Sequence, residues 1–340
     1  MQGNKKIYDD IEEYLNKNYS NFNKIQKIKK IAHDDINSRN YLINTKSGKF
    51  LLHNFNDNHS NPKMERMCKV LIECSKKKRK FPVPILNKKK YFIDKKNRFY
   101  LTNYIKGGKF RDNFIQLSDI GKNLAELHIV LNEIKTTYNF HTRRDHYNLL
   151  DNEEMLSISK IIKKRSKQDF FDKIFLKNFK FMNQSFDETQ NFLENTKPFL
   201  TKKQLIHFDM HPDNVLFTNN KVSGILDFQY LHKGLRIQDI VYCGFRFSIF
   251  NKSNVSNIIK KMKIFCDSYI EINQIPKSQL YNLNNFLNYE IMSRLSFVIR
   301  ERFFHNSQKR SDDLSKFIDF MKLSNKLKSD MKNKISNKFE

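Results

Sequence analysis

Apolar residues recur along this chain with two different periods, and the change from one to the other divides it. Over residues 6–17, Ile7, Ile11, Tyr14 and Leu15 fall on one helical face with acids between them, which predicts a short amphipathic helix. Strands follow at Lys27–Ile31, Asn40–Ile43 and Phe50–Phe55. Turn chemistry at His33–Ser38 and a Lys46-Ser47-Gly48-Lys49 hairpin separate them. A helix is predicted from about Pro62 to Ser75. Residues 81–86, FPVPIL, are extended because each proline fixes its own φ and restrains the residue before it. Strands at Tyr91–Ile93 and Arg98–Tyr104 then run into Ile105-Lys106-Gly107-Gly108.

Beyond Gly108 the helical period takes over. Ile120, Leu124, Leu127, His128 and Leu131 line one face of a helix over Leu117–Leu131, and His128 reads as a buried, hydrogen-bonded helix residue with no chemistry of its own. Residues 141–170 are polar with a charge-rich helix, and 172–196 form another. Two short apolar strands, Val215–Phe217 and Ser223–Leu226, interrupt the helices. Helices at Ile258–Tyr269, Leu280–Arg302 and Ser311–Leu327 complete the chain, and the basic tail beyond Ser329 is expected to fray. The chain thus places most of its strands first and most of its helices afterwards, and its length allows one two-lobed unit or two domains.

Length and charge change this picture little. At 340 residues the chain can bury a sizeable core. Lys plus Arg number 63 against 36 Asp plus Glu, a net charge of +27. Such a surplus would fit a polyanionic partner. It is spread from end to end, however, in KKIKK, KKKRK, NKKK and IIKKRSK, among abundant Asn, Ile and Phe. That mixture is what an AT-rich coding sequence produces, and neither zinc-finger spacing nor an RNP-like strand accompanies it. Nucleic acid is therefore not the expected partner. Cys68, Cys74, Cys243 and Cys266 contain no Cys-x-x-Cys pair, so free thiols in a reducing cytosol are expected. The N-terminus MQGNKKIYDDIEEYL has no apolar core for a signal peptide, and no apolar run reaches membrane-span length, which predicts a cytoplasmic protein.

Chemistry concentrates in residues 204–230, QLIHFDMHPDNVLFTNNKVSGILDFQY. Moving a phosphoryl group to a hydroxyl needs a carboxylate beside the acceptor proton and oxygen ligands for magnesium beside the phosphates. Asp209 would supply the first, and Asn214 with Asp227 the second. The alternative, that Asp209, Asp213 and Asn214 are ordinary turn residues around Pro212, stays open on this segment alone.

The spacing His-x-Asp-x4-Asn, followed by an apolar strand and Asp-Phe, matches the catalytic segments of the protein-kinase-like phosphotransferases. His-Phe-Asp-Met-His-Pro-Asp-Asn more closely resembles the aminoglycoside phosphotransferase and choline kinase branch. Within it, Asn37-Ser38-Arg39-Asn40-Tyr41-Leu42-Ile43, Gly48-Lys49-Phe50-Leu51-Leu52 and the Pro-Asp-Asn-Val-Leu-Phe…Ser-Gly-Ile-Leu-Asp-Phe-Gln-Tyr run are similar to the homoserine-kinase-like branch. The resemblance implies an α+β, two-lobed kinase-like fold, with a small antiparallel first lobe carrying one helix over 1–105 and a larger, mainly helical second lobe over 106–340. ATP and Mg2+ are the implied cofactors.

Carried onto this chain, the resemblance makes Asp209 the group that orients the acceptor hydroxyl and His207 a brace for its loop. Asn214 and Asp227 become magnesium ligands, and Asp239 a structural support. Asn37 and Ser38 lie in a glycine-free loop over the phosphates. Backbone groups of Asn103, Tyr104 and Ile105 would receive an adenine edge. The third strand departs from the pattern, because His53 stands where a lysine or arginine normally grips the phosphates. Glu65 is its nominal partner, and a solvated acid in the first turn of its helix is the more ordinary reading.

Three function classes follow. The leading one is phosphorylation of a small hydroxylated molecule: an amino alcohol such as homoserine, a sugar, a choline-like compound or an aminoglycoside. His53 and the glycine-free loop motivate a catalytically weak nucleotide-binding protein, and the charge motivates a kinase of a macromolecular or anionic partner.

Overall fold

The computed structural model describes residues 2–20, 22, 25–31, 40–55, 60–77, 80–134, 140, 149–196, 203–251, 253–304 and 311–336. In chain order its elements are α1 (Gln2–Asn18), β1 (Ile25–Ile31), β2 (Asn40–Thr45), β3 (Gly48–Asn54), α2 (Asn61–Lys77), β4 (Pro84–Ile85), β5 (Ile93–Asp94) and β6 (Phe99–Asn103). Then come α3 (Phe114–Glu133), α4 (Asn152–Lys163), α5 (Phe170–Thr196), β7 (Gln204–Ile206), β8 (Val215–Thr218), β9 (Lys221–Ile225) and β10 (His232–Gly234). Last are α6 (Arg236–Ser248), α7 (Val255–Ile270), α8 (Lys277–Leu280), α9 (Leu283–Phe304) and α10 (Ser311–Met331).

These form two compact units. The first takes residues 1–110, 133–140 and 213–231; the second takes 111–132, 141–212 and 232–340. The first is built on an antiparallel sheet of order β1-β2-β3-β6-β4, with β5 also paired to β6. Strand alternation puts Tyr41, Ile43, Leu52 and Leu101 on one face, where they pack against Ile11 and Leu15 of α1 together with Tyr19 and Phe22. The opposite face carries His53, Tyr100 and Thr102. On α2, Met64, Met67, Cys68, Val70, Leu71 and Cys74 form the buried side.

The β8–β9 hairpin belongs to this same unit, although more than a hundred residues separate it from β6. The segment after β6 holds it in place. Gly108 and Phe217 exchange both backbone hydrogen bonds, at 2.8 and 2.9 Å, and Ser223 Oγ donates to the Lys106 carbonyl at 3.1 Å. Gly107 is needed at this approach: a Cβ there would lie 2.5 Å from Ser223 Oγ and 2.7 Å from Leu216 Cβ. Further along, Ile225 N–H donates to the Lys80 carbonyl at 2.9 Å, and Phe228 sits edge-on to Phe81.

In the second unit, α9 packs against α6, α5 and α10 and is buried nearly all round, including Glu290 and Arg294. A helix surrounded by protein has no single apolar stripe, which is why its polar positions carry no warning in the sequence. The strands β7 and β10 pair with each other and escape sequence reading, because three residues are too few to show alternation. No helix among the described residues is long and apolar enough to cross a membrane.

Gly107→Ala should destabilise the protein by about 1–3 kcal/mol, since a backbone-proximal Leu216 Cβ cannot swing aside as a long side chain can. Chemical denaturation monitored by circular dichroism measures this.

Candidate active site

The loop after β7 begins with a buried His207, followed by Phe208 in the left-handed region at φ 72° and then Asp209. A phenylalanine in that conformation costs about 1–3 kcal/mol and persists only if its surroundings hold it. Asp239, in the first turn of α6, does so. Its Oδ2 accepts from His207 N–H at 2.8 Å and its Oδ1 from Phe208 N–H at 2.6 Å. The next amide, Asp209 N–H, donates to His207 Nδ1 at 3.2 Å.

Asp239 is 2 % exposed and is itself supported from α3, where His128 Nε2 lies 3.1 Å from its Oδ2. Burial alone would raise the Asp239 carboxyl. The hydrogen bond and electrostatic pull of His128 hold it below the usual range instead, with His207 and its backbone N–H adding to them. His128 moves down because burial outweighs the raising pull of Asp239. The pair is therefore an ionised carboxylate with a neutral imidazole that donates through Nε2 and accepts at Nδ1 from the Tyr269 hydroxyl, 2.8 Å away.

Asp209 keeps a quarter of its side chain exposed. Burial would raise its carboxyl, but the hydrogen bond and charge of His211 dominate, with Arg294 and His207 adding to them, so it lies well below the usual carboxylate range. His211 Nε2 stands 3.7 Å from Asp209 Oδ2. An acidic group held ionised beside a partly open surface is equipped to accept a hydrogen bond from a hydroxyl and then its proton.

The other candidate residues lie in the first unit. Asn214, 5 % exposed, ends the 3-10 turn Pro212–Asn214, and Asp227 follows β9 with φ 57°. Val215 pairs with Ile225, and Leu226 N–H donates to the Asn214 carbonyl at 2.8 Å, so Asn214 and Asp227 meet at the open end of one hairpin. An amide and a carboxylate are hard oxygen donors, the set that suits a cation such as Mg2+.

His53 lies flat on Tyr100, with ring centroids 4.4 Å apart and planes inclined by 7°, and its Nε2 is 3.0 Å from the buried Thr102 hydroxyl. Tyr100 reaches Gln229 and feels the charge of Asp227, so one aromatic ring stands between His53 and the Asp227 segment. Glu65 corrects the expectation of a solvated first-turn acid. It lies beyond the first turn of α2, and its Oε2 is buried without a hydrogen-bond partner among the described residues.

The expected adenine contact is also narrowed. Asn103 N–H is taken by the Val83 carbonyl at 3.1 Å and Tyr104 N–H by that of Lys49 at 3.0 Å, which leaves Ile105 as the candidate backbone donor. The Asn103 side chain receives Val83 N–H, so Asn103 is a sheet residue. Asn37 and Ser38 lie outside the described residues.

Two residues escape sequence reasoning. Lys63, in the first turn of α2, places its Nζ 5.7 Å from the Tyr230 ring, three residues after Asp227. Arg294 contacts the catalytic loop from α9 and has no motif around it.

An antiparallel sheet accompanied by two helices, a mainly helical second unit and a braced Asp loop leading into an Asn…Asp hairpin define a protein-kinase-like phosphotransferase fold. The chain belongs to the phosphotransferase enzyme family, whose model matches residues 27–254. It is 22 % identical over 250 residues to a homoserine kinase of Bartonella henselae, covering 73 % of this chain and 72 % of that protein. Among solved structures, spectinomycin phosphotransferase APH(9)-Ia in complex with ADP and spectinomycin superposes with a TM-score of 0.68 at 16 % identity, covering 93 % of this chain and 97 % of the other. Amicoumacin kinase hAmiN in complex with AMP-PNP, Ca2+ and Ami gives 0.62 at 15 % identity, covering 96 % of each chain.

The buried neutral His128 has a pH consequence. Its folded pKa is depressed, so the unfolded chain binds the proton first, and this stability is present above about pH 6.5 and lost as pH falls below it. Melting temperature should therefore drop between pH 7 and pH 5, with a shallower slope in His128→Asn.

Proposed function

We propose that the protein is an ATP- and Mg2+-dependent kinase that transfers the γ-phosphoryl group to a hydroxyl of a small molecule. The observation that carries this reading is Asp209, held ionised and part-exposed at the end of a loop whose backbone is fixed by Asp239. Asp209 orients the acceptor hydroxyl and takes its proton late, as a loose phosphoryl-transfer transition state requires. His207 keeps the Asp209 amide in register. Asn214 and Asp227 would hold Mg2+, which when bound supplies charge neutralisation at the phosphates. Residues 1–105 form the nucleotide-binding lobe in this reading, and 106–340 the catalytic and substrate lobe. A cytoplasmic location is part of the same reading, since ATP is found there and the four buried cysteines are free thiols.

For the acceptor, an amino alcohol such as homoserine draws support from the homoserine kinase relative, and an aminoglycoside-like antibiotic or a choline-like compound from the structural neighbours. A second reading rests on His53: a ring stacked on Tyr100 and tied to Thr102 is a poor substitute for a phosphate-gripping cation, and it favours a protein that binds Mg-ATP but transfers slowly.

A screen of Mg-ATP consumption over hydroxylated metabolites and aminoglycosides, with Asp209→Asn as blank, decides between them. The kinase reading expects one acceptor to raise turnover above the blank. The second expects Mg-ATP binding by calorimetry with no acceptor effective. With the acceptor in hand, Asp209→Asn should lower kcat by about 10²–10⁴. Asp227→Asn should lower it at least as much. Near-normal turnover in Asp227→Asn beside a dead Asp209→Asn would remove the metal role of Asp227.

A further inference from the structure

Asp239 holds only one side of the Phe208 residue. Its N–H is bound by that carboxylate, but its carbonyl, which begins the peptide leading into Asp209, points to a different element. Arg294 Nη2 donates to it at 2.6 Å from α9, eighty-six residues further along the chain. The guanidinium carbon also lies over two rings, 3.5 Å from the centroid of Tyr242 of α6 and 4.1 Å from that of Phe208 itself. Its Nη1 donates to Glu290 Oε2 at 2.5 Å. Glu290 Oε1 accepts from Gln238 at 2.6 Å, and Gln238 accepts from Leu235 N–H, at the turn into α6, at 2.7 Å.

Each member of this network is buried: Glu290 is 0 % exposed, Tyr242 3 %, Gln238 5 % and Arg294 7 %. Removing a guanidinium and a carboxylate from water costs several kcal/mol per ion, so the pair is a poor device for stability alone. A planar, always-charged donor held over two rings is well suited to holding one carbonyl in place.

We infer that Arg294 is a positioning residue for Asp209: by gripping the Phe208 carbonyl opposite the Asp239–amide contact, it locks the left-handed peptide that aims the Asp209 carboxylate. The inference rests on the phosphotransferase reading for its kinetic consequence and on geometry alone for its structural one. The charge also acts on Asp209 directly, beside the imidazoles of His211 and His207, and helps keep the carboxylate ionised.

The test uses the full chain and two readouts. Arg294→Met combined with Glu290→Gln removes the grip without leaving a buried unpaired charge, and Glu290→Gln alone keeps the grip. Hydrogen exchange by mass spectrometry over 205–211 should be at least about tenfold faster in the double variant than in Glu290→Gln, the loss expected for a charge-assisted hydrogen bond. In the Mg-ATP consumption assay with the best acceptor, kcat should fall about tenfold or more while KM for ATP stays within about twofold, as for an interaction that acts on the reacting group only. If exchange and kcat both match Glu290→Gln, the inference is overturned. Should the double variant not fold, Arg294→Lys serves in its place, because a lysine cannot hold Glu290 and the Phe208 carbonyl while lying over both rings, and the same two outcomes apply. Exchange needs no turnover, so a chain inactive on every acceptor would refute the kinase reading, and the exchange rates would still decide whether Arg294 holds the loop.

Discussion

One buried carboxylate fixes the geometry on which the second unit depends. Asp239 accepts two consecutive backbone amides, from His207 and Phe208, and a third hydrogen bond from His128. An ionised group with three donors is compensated for its burial, and its partners cannot move without exposing it again. The left-handed Phe208 follows from this. Two successive N–H groups can point at one carboxylate only if the chain turns sharply there, and the turn sends Asp209 outward while the side chains on either side remain buried. Asp239 determines which conformation is cheapest for the residues it binds.

The same logic extends outward through neighbouring elements. α3 contributes His128, α7 contributes Tyr269, α9 contributes Arg294 and Glu290, and α6 contributes Gln238 and Asp239. The helices around the loop thus meet it through satisfied polar groups as well as apolar packing. A network of this kind tolerates little partial loss, because a low-dielectric interior strengthens complete networks and penalises incomplete ones alike.

Much of this organisation is legible in the sequence and some is not, for identifiable reasons. The strands through β3 and the helix at 117–131 announce themselves by period, and the His-x-Asp-x4-Asn spacing picks out Asp209 and Asn214 as candidates because they are near neighbours in the chain. The support of Asp239 is readable as a stretch resembling the family's brace. Arg294 is not readable: it reaches the loop through the fold, from a helix whose burial on all sides erases any amphipathic stripe. Glu65 misleads for a related reason, since an acid near a helix start looks solvated until the packing of that helix is known. The end of β6 is hard to place because a strand end and a linker have the same composition, and only the backbone partners of Asn103 and Tyr104 separate them.

The membership of the β8–β9 hairpin in the first unit has a consequence for how the chain assembles. Residues 1–110 contain the sheet but lack the hairpin that seals the Gly107–Gly108 segment and covers Phe81, and that piece is made only after another hundred residues have been synthesised. The first unit therefore cannot be completed as it emerges from the ribosome. It must wait, with part of its apolar surface uncovered, for contacts of high sequence separation, which form slowly and leave a window for misassociation. Because the hairpin that joins Asn214 to Asp227 is tied to the early sheet, this part of the candidate site forms late, and a truncated or stalled chain presents the sheet without it.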